Sequence, residues 1–158
     1  TLCVNEMVAQ AIDMPVGADA LHGGMSASPS ASTPLSSKGI LLFGHGARNP
    51  EWAAPFTAIR AEILARSPDA LVESGFLELM RPTFAEAVDL LVERGATEIA
   101  VVPIFMAAGS HINKDLPQLA ATSMDQHPGL TISLAPPVGA APSVLGAMAD
   151  YAMVAAAT

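Results

Sequence analysis

The stretch Ala96-Thr97-Glu98-Ile99-Ala100-Val101-Val102-Pro103-Ile104-Phe105-Met106-Ala107-Ala108-Gly109-Ser110-His111 decides how the chain is read. Ile99 to Ile104 is a continuous apolar run rich in β-branched residues. That pattern predicts a strand buried on both faces, as in a parallel sheet covered by helices. Small residues follow, and then a lone histidine, His111. Loops leaving the carboxyl ends of parallel strands are where open α/β sheets hold their ligands. Small side chains there let a bulky group approach the backbone, and the imidazole offers it a nitrogen. A single loop histidine is more often solvated than functional. This one gains weight because the first strand ends the same way.

Upstream, Gly39-Ile40-Leu41-Leu42-Phe43-Gly44 reads as a short buried strand, and His45-Gly46-Ala47-Arg48-Asn49 follows it. Asn49 suits a helix N-cap and Pro50 the first helical position. Trp52, Phe56, Ile59 and Ile63 recur at helical spacing and predict one core-facing stripe through about Arg66. Ser67-Pro68 ends that helix. A second strand is expected over 70–77, with Glu78 at its end. Pro82 is expected to open a second helix, with Phe84, Ala87, Val88 and Leu91 inward and Gly95 closing it. Beyond the central stretch, a third helix is predicted from Lys114 or Asp115 to Gln126. It is closed by His127-Pro128-Gly129, where a cation suits the helix end and no further role is expected for His127. A fourth strand over 130–134 and an alanine-rich helix from about Ala141 complete the pattern. Four strands alternating with four helices predict an α/β fold, a flavodoxin-like doubly wound sheet of four mainly parallel strands.

Composition narrows the classes. The chain has 158 residues and a formal net charge of −8, which argues against a nucleic-acid partner. The single cysteine, Cys3, fits a reducing compartment and excludes an internal disulfide framework. The apolar run that holds Val101 to Ala108, interrupted by Pro103, is far shorter than the roughly 18 residues of a membrane span. No signal peptide pattern is visible, so a cytoplasmic location is expected. Residues 23–38 are almost all Ser, Ala, Pro, Gly and Thr, a composition that cannot offset ordering entropy. Residues 1–38 are therefore expected to be a disordered or non-native extension, with Met25 a plausible native start, and 39–158 a single domain. His22 receives no role.

Right-handed crossovers would bring the ends of the first three strands to one rim. That rim would carry His45, Glu78 and His111, and beside them Arg48, Arg81 and Lys114, three of the seven basic residues. Singly these are ordinary loop and helix-start residues; together they suggest an anionic ligand. No Gly-x-Ser-x-Gly elbow or phosphate-binding Gly-x-x-x-x-Gly-Lys pattern is present. Two neutral imidazoles and a carboxylate can hold a first-row divalent cation with coordination positions left open. An open set suits an ion that is passed on. Because ligating imidazoles must be neutral, such loading should weaken in acid.

These pieces resemble the small class II chelatases, the group of sirohydrochlorin cobaltochelatase and sirohydrochlorin ferrochelatase. The matching motifs are Leu42-Phe43-Gly44-His45-Gly46-Ala47-Arg48, Gly75-Phe76-Leu77-Glu78-Leu79 with Arg81-Pro82, Val101-Val102-Pro103-Ile104-Phe105 with Gly109-Ser110-His111, and Asp115-Leu116-Pro117. They cover about Gly39 to Met153; Ala47 departs from the serine more usual there. The resemblance implies insertion of a divalent metal into sirohydrochlorin, in cobalamin or siroheme biosynthesis, without ATP or an organic cofactor. Co²⁺ is the expected metal, with Fe²⁺ or Ni²⁺ as alternatives, since ligand type alone does not select among them. It further implies that His45 and His111 hold the ion and that Glu78 is a ligand or proton acceptor. Arg48, Arg81 and Lys114 would then meet the substrate carboxylates, while Gly109 and Ser110 make room for the macrocycle. Short members pair, so a homodimer is expected, with Ile104 to Ala108 near the partner. A metal carrier without insertion activity, or a family member with a structural role, remains the alternative.

Overall fold

The structure is a computed structural model and describes residues 37–157 except 108, 110 and 111. The expectations for residues 1–36, for Ser110 and for His111 lie outside the described residues. Four strands, β1 (Lys38–Gly44), β2 (Leu71–Phe76), β3 (Glu98–Pro103) and β4 (Thr131–Leu134), alternate with four helices. The helices are α1 (Ala54–Arg66), α2 (Phe84–Glu93), α3 (Ile112–Gln126) and α4 (Pro142–Ala156). All strand pairs are parallel and the order is β2-β1-β3-β4, the predicted doubly wound arrangement. Lys38 lies within β1 and the Ser37 carbonyl accepts from the Thr97 N–H at 3.0 Å, so the first strand starts one residue before the expected Gly39.

The period-2 alternation of β1 splits the core in two. Leu41 and Phe43 face one way, onto Phe84, Ala87, Val88 and Leu91 of α2 and Leu116 and Ala120 of α3. Leu42 faces the other way, onto Val72, Phe76 and Phe56 of α1. Phe43 sits edge-on between Phe84 and Phe105, with ring centroids 5.6 and 5.9 Å away. The outer edge strand β2 is flanked by charge: Arg60 and Arg94 both donate to the Val72 carbonyl, at 3.1 and 3.4 Å, and Arg94 also holds Glu73 at 2.7 Å.

Three expectations change. β3 is not buried on both faces: Ile99, Val101 and Pro103 are buried, whereas Ala100 and Val102 are only half-buried. The reason is that α4 buries none of its residues, so α1 alone covers that side of the sheet. Trp52 does not join the core stripe. Residues Pro50–Ala53 form a 3₁₀ turn, whose tighter winding carries Trp52 away from Phe56 and leaves it 65% exposed. The second helix starts after Thr83, not at Pro82. Thr83 and Glu86 form a reciprocal capping box, in which the Thr83 N–H donates to the Glu86 carboxylate at 2.8 Å. That bond, aided by the Arg81 charge, holds the Glu86 carboxyl below its ordinary range. Its contribution to stability is therefore present above the usual carboxylate pKa and is lost as pH falls through the depressed value.

His127 does lie at the end of α3, but it also meets Asp89 of α2 through Nε2 and Oδ1 at 2.7 Å. It ties two helices together rather than idling at a terminus. Replacing His127 with Ala should lower stability by about 0.5–1 kcal/mol in urea unfolding, with the far-UV circular dichroism of the folded state unchanged.

Candidate functional site

The site begins with hydrogen bonds that continue the sheet past the ends of its strands. Leu77 N–H donates to the Gly44 carbonyl at 2.9 Å and Glu78 N–H to the His45 carbonyl at 3.0 Å. Gly46 lets this happen. Its φ is +92°, and a Cβ built there would collide with the carbonyl oxygen of Glu78. The two loops are thus zipped together at the rim. Side by side, His45 Nδ1 and Glu78 Oε1 stand 3.6 Å apart, each about half exposed. That separation is too long for a good hydrogen bond and leaves both atoms available to one cation.

On the other flank of β1, Ile104 N–H donates to the Phe43 carbonyl at 2.8 Å, extending the ladder onto the loop after β3. Gly139 N–H then donates to the Phe105 carbonyl at 3.0 Å, in a turn so close that a Cβ on Gly139 would meet the Met106 backbone. This loop leads toward His111, whose placement is not described. Gly109 is exposed with open space around it, and its carbonyl accepts from Asn113 in the first turn of α3 at 3.2 Å. The helix thereby starts at Ile112, before the expected Lys114. Among the described residues, no three His, Cys, Asp or Glu side chains are grouped to hold a metal ion. Of the three residues expected to hold an ion, His45 and Glu78 are described, and they stand side by side.

Beside His45 lies a pocket of about 100 Å³, lined by His45, Gly46, Trp52, Phe56, Phe76, Met80, Ile104 and Phe105. Ligand pockets generally run to several hundred Å³, so this one suits an ion with its waters or one edge of a larger molecule. Of the basic residues, Arg48 and Lys114 are exposed and make no ion pair among the described residues. Arg81 differs from the expectation. Its guanidinium pairs with Glu86, and it lines a separate groove with Pro82, Asp89 and Leu90. The capping box explains this, because it positions the Glu86 carboxylate within reach. Trp52 and Met80, absent from the predicted site, line the pocket; the signal was the Asn49-Pro50 turn that lifts Trp52 out of the helix.

A sequence model of the CbiX family matches residues 39–153 of this geometry's chain. The chain belongs to the CbiX family. The sirohydrochlorin cobaltochelatase of Methanosarcina barkeri is 39% identical over 89 residues, 56% of this chain and 67% of that protein. A crystal structure of a CbiX protein from Marinobacter aquaeolei VT8 superposes with a TM-score of 0.64 at 31% identity, over 73% of this chain and 94% of that one. The sirohydrochlorin chelatase SirB of Bacillus subtilis, solved in complex with cobalt, matches at 33% identity with a TM-score of 0.55. The match covers 65% of this CbiX chain but 44% of SirB. The parallel four-stranded α/β core is the fold of these neighbours.

Gly46 is the position on which the pairing of the two loops turns. Gly46→Ala should lower the thermal midpoint, by strain and collision worth more than about 1 kcal/mol. If the His45–Glu78 pair holds a divalent ion, Co²⁺ binding in a calorimetric titration should weaken with it, because Glu78 is displaced from beside His45.

Proposed function

We propose that this protein inserts a divalent metal, Co²⁺ in the first instance, into sirohydrochlorin. The observation that carries the reading is the half-exposed His45–Glu78 pair, 3.6 Å apart, with a pocket beside His45 too small for the whole macrocycle, in a chain of the CbiX family. The ion is a substrate, and a partly open centre suits a ligand set that has to release it. His45 holds the ion through imidazole nitrogen, with His111 as the further ligand. Glu78 either shares the ion or accepts a pyrrole proton. The charge balances without nucleotide: one divalent ion enters while a proton leaves each of two pyrrole nitrogens. Arg48 and Lys114 meet the carboxylates at the macrocycle edge, and Gly109 and Ser110 leave space for it. The single cysteine, Cys3, accords with a reducing, cytoplasmic site of action.

Absorbance of metal-free sirohydrochlorin mixed with protein and Co²⁺ tests this directly. Wild type should shift the macrocycle spectrum. His45→Ala and His111→Ala should each reduce the insertion rate by about 100-fold or more, with melting unchanged. Glu78→Gln should slow insertion by roughly 100-fold while changing Co²⁺ affinity much less, as removal of a proton acceptor does. Metal bound by wild type with no spectral change in the macrocycle would establish a carrier instead.

We propose also that two copies pair. The aligned region spans less than half of the SirB chain, and one rim covers only one side of a flat substrate. α4 accords with this, since Leu145, Met148, Tyr151, Met153 and Val154 are all exposed on it, and so is Met106 in the loop after β3. Sedimentation at assay concentration should show a dimer; a monomer with full activity would overturn the pairing.

A further inference from the structure

Three of the four loops at the carboxyl rim each expose one large apolar side chain. Trp52 follows β1, Leu79 follows β2 and Met106 follows β3, and all three are more than half exposed. Scattered single apolar residues on a surface are ordinary; one from each of three adjacent loops, around the same pair of polar ligands, is a patch. Trp52 and the neighbours of the other two, Met80 and Phe105, line the pocket beside His45.

The backbone beneath the indole is built to hold it out. The Asn49 side chain accepts from the Glu51 N–H at 3.0 Å, Pro50 presets the first turn, and the Asn49 carbonyl accepts from the Trp52 N–H at 3.2 Å. Leu79 is held more tightly still. Its φ is +64°, a left-handed conformation that a bulky side chain adopts only under constraint. Glu78 supplies that constraint, with its N–H on the His45 carbonyl and its own carbonyl accepting from Met80 N–H at 2.8 Å. Size then settles what the patch can meet. A pocket of about 100 Å³ admits an ion, so a large flat ligand delivered to that ion lies across the mouth, with one face against the rim. The chain has one tryptophan, and it is at that mouth.

We infer that Trp52 is the platform on which the conjugated macrocycle stacks, with Leu79 and Met106 completing an apolar seat around the His45–Glu78 pair. This rests on the insertion reading above and adds to it the residue that binds the substrate's face. Arg48, four positions earlier and exposed, is left to the carboxylates at the edge. Stacking of a flat π-system on an aromatic side chain is tolerant of substituents and falls off when the ring is removed. Trp52 is thus a binding residue that holds the macrocycle level over the ion; it does not itself react.

The single tryptophan makes the test direct. Excitation of indole alone reports Trp52, so titrating the full-length protein with metal-free sirohydrochlorin should quench its emission along the same binding curve as the macrocycle's absorbance change. Trp52→Ala should raise the dissociation constant and the KM for sirohydrochlorin roughly tenfold, with a smaller change in kcat. Trp52→Phe, which keeps a smaller ring, should recover most of the loss. Co²⁺ affinity measured without macrocycle should stay within about twofold in both variants. Binding seen by absorbance but with Trp52 emission unchanged, or with Trp52→Ala affinity unchanged, would overturn this inference and leave the insertion reading intact. No macrocycle binding or insertion by wild type would overturn both. A Trp52→Ala protein that binds sirohydrochlorin normally but no longer sediments as a dimer would assign the patch to a second copy.

Discussion

The approach of two loops, closed by Glu78 N–H on the His45 carbonyl, is the constraint on which the rim depends. Parallel strands end where their loops diverge, and without further bonding their terminal residues would drift apart. Here the β1–β2 ladder runs on beyond both strands because Gly46 offers no side chain to the Glu78 carbonyl. The consequence propagates in both directions. Toward the core, it places Phe76 against Phe56, with ring centroids 5.0 Å apart, under the floor of the pocket. Toward solvent, it sets an imidazole and a carboxylate at a distance suited to a shared ion. A matching extension on the β3 side, from Ile104 to Phe43, gives the rim its second wall. The candidate site thus sits on loops whose backbones are tied together by a continuation of the sheet's own hydrogen bonds.

Electrostatics shape the approach of a polyanionic substrate to this acidic chain. With a net charge of −8, long-range attraction is absent, and at physiological salt the field is screened within about 8 Å. Recognition then has to come from contacts made at the rim. On the proposed reading, Arg48 and Lys114 are the local cations for such contacts, and the exposed apolar side chains add an area term that salt does not weaken. Arg81 pairs with Glu86 of the capping box at the start of α2.

Much of the fold was legible because it rests on period and punctuation. The apolar runs 39–44 and 99–104, the inward set Phe84, Ala87, Val88 and Leu91, and the stop at Gly95 all follow from local pattern, and right-handed crossovers then leave few ways to order the strands. Of the site, His45 and Glu78 were legible as residues ending neighbouring strands. What escaped the sequence was set by geometry between elements. Trp52 matches a helical stripe on spacing alone, and only the 3₁₀ turn removes it. Ala100 and Val102 read as fully buried, since nothing in an alanine-rich segment announces that α4 leaves its own face and theirs uncovered. The partner of Arg81 depended on which residue capped α2, and Pro82 and Thr83 are both good starts.

The clasp on β2 has a consequence for how the folded molecule behaves in a crowd. Arg60 and Arg94 both reach the Val72 carbonyl, with Glu73 between them, so a bare strand arriving at that edge meets two cationic side chains. The opposite edge is β4, four residues long, with Thr131, Ser133 and Leu134 exposed. Its brevity limits the number of rungs a foreign strand could add. One border of the sheet is therefore defended by charge and the other by shortness, two different answers to the hazard of runaway strand addition that any open sheet faces.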